Sequence, residues 1–90
     1  MSIRTIRNFG EIAVVHKDNK REVLNLKYIP SIGEVGICFD NDSLNAPFHF
    51  WLETSSSLET KAILIEEEFD WMREGEAMRV AKAVEEWVKK

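Results

Sequence analysis

The sequence has one cysteine and two histidines, and each scarcity closes a class of function. Cys38 alone cannot form an internal disulfide, which points to a reducing compartment, with the cytoplasm as the default. No apolar run approaches the ~18–20 residues of a membrane-spanning helix, so no membrane partner is expected. The opening residues Met1, Ser2, Ile3, Arg4 and Thr5 lack the apolar stretch of a secretory signal. His16, His49 and Cys38 show no paired ligand spacing of the zinc type. They are also the one conceivable nucleophile–base set, but Cys38 sits in the apolar stretch Val35, Gly36, Ile37, Cys38, Phe39, where thiols are usually inert filler. No phosphate loop is present, and no acid–base set can be named, so neither enzyme activity, cofactor nor metal is expected.

The segment Asp40, Asn41, Asp42, Ser43, Leu44, Asn45 opens like a calcium loop, with acids two residues apart. A calcium loop then requires an oxygen donor at position five, glycine at six and glutamate at twelve. Those positions hold Leu44, Asn45 and Trp51, so the segment reads as a turn.

Ninety residues make one domain, spanning 1–90, and 44% hydrophobic with 31% charged content is that of a folded chain. A chain of this size buries only about 60–65% of its unfolded surface. Its core is thin, and deep pockets are hard to build. Such a protein binds with its outside or completes its core by oligomerising, so a homodimer is one alternative.

The net charge of −4 is unevenly spread. Residues 1–30 hold six bases (Arg4, Arg7, Lys17, Lys20, Arg21, Lys27) against three acids, whereas residues 31–60 hold five acids and no Lys or Arg. The densest acidic stretch is Glu66, Glu67, Glu68 and Asp70. As a helix start it would be a favourable solvated end, because acids suit a helix N-terminus. Otherwise it is a face that docks on a basic partner.

Turn residues near 8–10, 18–20, 30–33 and 41–47 divide the front half into short β-forming segments. These are 3–7, 11–17, 22–29, 34–40 and 48–54. In 22–29, Leu24, Leu26 and Tyr28 alternate with Val23, Asn25 and Lys27. Period-two patterning at this spacing reads as an antiparallel meander of about five strands. Farther on the period changes. Ala77, Val80, Ala81, Val84, Trp87 and Val88 fall within roughly 120° of a helical wheel, which predicts a C-terminal amphipathic helix that extends back to about Phe69. The fold class is α+β, with that helix packed on one face of the sheet.

Residues 58–68 are ambiguous. Ser56 with Glu59 reads as a capping box, and Leu58, Ala62 and Ile65 form a stripe, yet 60–65 is rich in β-formers. The stripe is displaced by about a quarter turn from the later one. A strand or a separate short helix is therefore preferred over one continuous helix.

In 48–54, Phe48, Phe50 and Leu52 alternate with His49, Trp51 and Glu53. An outward Trp51 would be a binding anchor, because Trp is enriched at interface hot spots, or a platform for a single-stranded base. The expected function is a non-enzymatic protein-binding or regulatory module. Its analogues in size and charge, not in motif, are inhibitors, immunity proteins and adaptors of phages and mobile elements. Its expected surface joins Asp40, Asp42, His49, Trp51 and Glu53 with Glu66, Glu67, Glu68 and Asp70, and its partner is a protein with a basic surface. Nucleic-acid binding through the basic first third is the second expectation.

Overall fold

The computed structural model describes residues 3–6, 8–38 and 50–89, with residues 4–6 defined by their backbone alone. The element order is β1 (Arg4–Ile6), β2 (Phe9–Val15), β3 (Arg21–Ile29), β4 (Glu34–Cys38), β5 (Phe50–Glu53), α1 (Leu58–Glu68) and α2 (Glu76–Val88). The fold is α+β, with an antiparallel sheet and two helices. Four strands, β2 to β5, form the body of the sheet, and the three-residue β1 extends it beyond β2.

Alternation sets the two faces. Ile12, Val14, Leu24, Leu26, Val35, Ile37 and Leu52 all turn to one side and are buried. They share a core with Ala62 and Ile65 of α1 and with Val80, Ala81, Val84 and Trp87 of α2. The Trp87 ring lies 5.9 Å from that of Tyr28. Full burial of each such aliphatic side chain is worth about 1.5–3 kcal/mol. That is large beside the ~5–15 kcal/mol net stability of a domain.

Local chemistry fixes the turns. Asn19 takes φ 70°, a conformation that asparagine tolerates. Beside it the Lys20 N–H donates to Asp18 Oδ1 at 3.0 Å. Gly33 takes φ 66°, which closes the β3–β4 turn. The Thr54 N–H and hydroxyl both donate to its carbonyl, at 2.8 and 2.9 Å. At the start of β2 the expected turn at 8–10 is shorter. Phe9 and Gly10 already pair with both neighbouring strands.

Residues 58–68 form a helix of their own, so the strand alternative fails. Its N-cap is Ser57, whose hydroxyl accepts the Thr60 N–H at 3.1 Å. Ser56 instead donates to the Glu53 carbonyl at 2.6 Å, so the expected capping box is displaced by one residue. The second helix starts at Glu76, not at Phe69. Gly75 precedes it with φ 87°, a left-handed turn that stops continuous helix.

Phe69 is the C-cap of α1, and Met72 is buried for a different reason. The connector between the helices runs along β2 where β1 has ended. The Lys17 N–H donates to the Trp71 carbonyl and the Arg73 N–H to the Val15 carbonyl, each at 2.9 Å. Side chains of α2 complete this edge. Glu76 Oε1 accepts the Val15 N–H at 2.7 Å, and Arg79 Nη2 donates to the Ala13 carbonyl.

Candidate functional site

The helix α1 departs from an ordinary amphipathic helix at Lys61, Ile63 and Leu64. Its inward face holds Ala62, Ile65 and a lysine. Lys61 is fully buried, and its ammonium donates to the carbonyls of Thr54 (3.1 Å) and Ser56 and reaches Glu85 Oε1 at 3.4 Å. A buried ammonium is tolerated only when its donors are met. Here they tie the β5–α1 turn to α2. The outward face carries Ile63 and Leu64, 56% and 38% exposed. With Thr60 and Glu67 they make an i, i+3, i+4, i+7 stripe along the helix surface.

Glu66, Glu67 and Glu68 occupy the last turn of α1, and that turn holds no basic residue. The expected helix start is therefore a helix end. Partial negative charge gathers at a helix C-terminus, so each carboxylate there is disfavoured by roughly 0.3–1 kcal/mol at low ionic strength. Asp70 follows at once and is exposed.

These groups border an open groove of ≈ 610 Å³ between α1 and the connector to α2. Ile63, Met72 and Ala77 give it apolar lining. Glu66, Glu67, Asp70 and Glu74 give it carboxylates, and Lys17 and Arg73 also line it.

Among its described members the expected composite surface is not gathered in one place. Asp40, Asp42 and His49 lie outside the described residues. Trp51 and Glu53 lie on the sheet face opposite the helices, since Leu52 between them enters the core. Trp51 sits across from Gly36, which sits across from Lys27, which sits across from Phe9. The Lys27 ammonium is 5.9 Å from the Phe9 ring centre. Glu11, Glu34 and Glu53 share this face with Arg21 and Lys27, so its charge is mixed.

The cysteine–histidine set is not assembled from its described members. Cys38 is buried opposite Asn25, which pairs with Glu11. His16 lies five residues beyond Glu11, roughly 16 Å at the usual strand rise. Its ring stacks on Trp71 at 4.1 Å, and its Nε2 is 3.7 Å from Glu22. Among the described residues no group of His, Cys, Asp and Glu could hold a metal, and no helix is long and apolar enough to cross a membrane. Glu76 is held below the ordinary carboxyl value, chiefly by the hydrogen bond from Arg79 and against the opposing effect of burial. Both residues serve the β2 edge.

Sequence reasoning missed Ile63 and Leu64. Their signal was present, because both fall off the stripe of Leu58, Ala62 and Ile65. Comparison with protein families, with curated proteins and with solved structures finds no match for this chain.

Proposed function

We propose that this chain is a non-enzymatic protein-binding module that takes a basic partner on the outer face and acidic end of α1. One observation carries the reading: an exposed Ile63–Leu64 pair adjoins carboxylates crowded at the helix end where they are least favourable. Exposed apolar side chains rimmed by charge mark interaction surfaces. Local rules broken at a cost in stability concentrate at functional sites. The acidic rim would speed encounter with a basic partner and exclude acidic ones. An inhibitory or adaptor role fits a domain whose grooves are open, and the lone buried thiol of Cys38 suits the cytoplasm.

The nucleic-acid reading has less support. Phe9, Lys27 and Trp51 lie in one row, but Glu11, Glu34 and Glu53 share their face and would repel phosphate.

The test is capture from a cell lysate, comparing the native chain with an Ile63→Asp/Leu64→Asp variant of equal melting temperature. A stoichiometric partner held by the native chain and released by the variant supports the reading. A partner held equally by both, or none at all, defeats it.

A further inference from the structure

We infer that the occupant of the α1 face is a basic amphipathic helix of another protein, laid along the groove between α1 and the 70–77 segment. The inference rests on the protein-binding reading above and names the shape and charge of the partner.

The shape follows from spacing. Thr60, Ile63, Leu64 and Glu67 repeat at the i, i+3, i+4, i+7 positions that a second helix meets when it packs lengthwise. Ile63 belongs both to this stripe and to the groove wall, and Met72 and Ala77 supply apolar contact on the far side. The groove is open rather than enclosed, as lateral docking of a helix requires.

The charge follows from the flanks. At 100° per residue, Glu59 and Glu66 border the stripe on one side and Glu68 on the other, and all three are exposed. Flanking charges of this kind select partners in paired helices. A second copy would set glutamate against glutamate, which counts against self-association through this face. Lysine or arginine at the facing positions would meet carboxylates instead, since Glu66, Glu67, Asp70 and Glu74 outnumber Lys17 and Arg73 in the groove lining. The apolar stripe holds only two large residues, so electrostatics supplies much of the selectivity and binding weakens with salt.

The probe is a synthetic three-heptad amphipathic helix with leucine along its seam and lysine on both flanks. Two controls accompany it. One carries glutamate on the flanks, and the other keeps the lysines but has a central proline that breaks the helix. Binding to the full chain is read by fluorescence anisotropy and by backbone amide shifts. The lysine-flanked helix should bind at ~50 mM salt and weaken at ~500 mM. The two controls should not bind. Ile63→Glu, at an exposed position, should weaken binding by about tenfold or more. Glu66→Gln/Glu67→Gln should weaken it several-fold and flatten the salt dependence.

Equal binding of the lysine and proline peptides, or binding indifferent to Ile63→Glu, overturns the inference. So does a native chain that dimerises through α1. A cellular partner that depends on Ile63 and Leu64, but is not displaced by the lysine-flanked helix, defeats this inference and leaves the wider reading standing. A partner indifferent to both residues defeats the two together.

Discussion

Glu76 and Arg79, one helical turn apart and 2.8 Å from each other, together act on β2 as a neighbouring strand would. The carboxylate takes the Val15 N–H while the guanidinium supplies a donor to the Ala13 carbonyl. Buried backbone groups need such partners. An ion pair from α2 thus continues the ladder that the connector begins at Trp71 and Arg73.

This pair predicts a specific acid sensitivity. Glu76 has its folded value held below the ordinary 4.5, mainly by the Arg79 hydrogen bond. Below pH 4.5 the unfolded chain binds the extra proton first, so stability is full above that value and falls as pH drops through the lowered folded one. Glu76→Gln should therefore narrow its stability deficit relative to the native chain as pH falls below about 4.5. Urea titrations across that range read the difference, and parallel curves would refute the assignment. Glu76→Ala, which strips the acceptor from Val15, should cost about 1–3 kcal/mol at neutral pH.

Lys61→Met keeps the buried chain length and removes the ammonium. The carbonyls of Thr54 and Ser56 then lose their donor, and the expected loss is about 1–3 kcal/mol. Glu85→Gln should cost less, since that side chain is 30% exposed and its contact is long at 3.4 Å. Chemical denaturation of the two variants decides the order. A Lys61→Met chain as stable as the native one would show that the ammonium is dispensable.

Gly75→Ala tests the joint between the helices. Nothing lies within 4 Å of an added Cβ, so the expected penalty comes from the φ of 87° alone. It should be about 1–2 kcal/mol. Asparagine at the same position should recover part of it, as a melting series would show. Equal stability of the alanine chain would mean that α2 can start without the left-handed turn.

The legibility of this fold differed from segment to segment. The strand at 22–29 was readable because Leu24 and Leu26 alternate with Val23 and Asn25, and half-buried strands impose that rhythm. The helix α2 was readable from one wide apolar stripe. The quarter-turn offset of the stripe at Leu58, Ala62 and Ile65 argued against one continuous helix but left a strand and a separate short helix both open. The start of α2 was misplaced because Phe69 and Met72 sit at helical spacing, yet Phe69 is the C-cap of α1 and Met72 bridges to His16, a long-range pairing that no local pattern encodes. The cap was misplaced among three serines of similar capping power. The acids were assigned to a helix start because that is where they stabilise. Only the position of the preceding cap reveals that they stand at an end.

Glu68→Lys should separate stability from function. A base at the end of α1 suits the helix dipole and should stabilise the chain by about 0.3–1 kcal/mol. The same change puts a positive charge on the flank proposed to meet a basic partner, so affinity should fall. Melting temperature and peptide affinity measured on one preparation should move in opposite senses. A variant that gains in both would mean that the acidic end is not kept for binding.

The closure of β2 by Trp71, Arg73, Glu76 and Arg79 has one more result. Where β2 runs on past β1 it is a poor template for an incoming extended peptide, because the Ala13 carbonyl, both backbone groups of Val15 and the Lys17 N–H are already bonded from within. Recruitment by strand addition, and runaway stacking of copies, are both blocked along this stretch of β2.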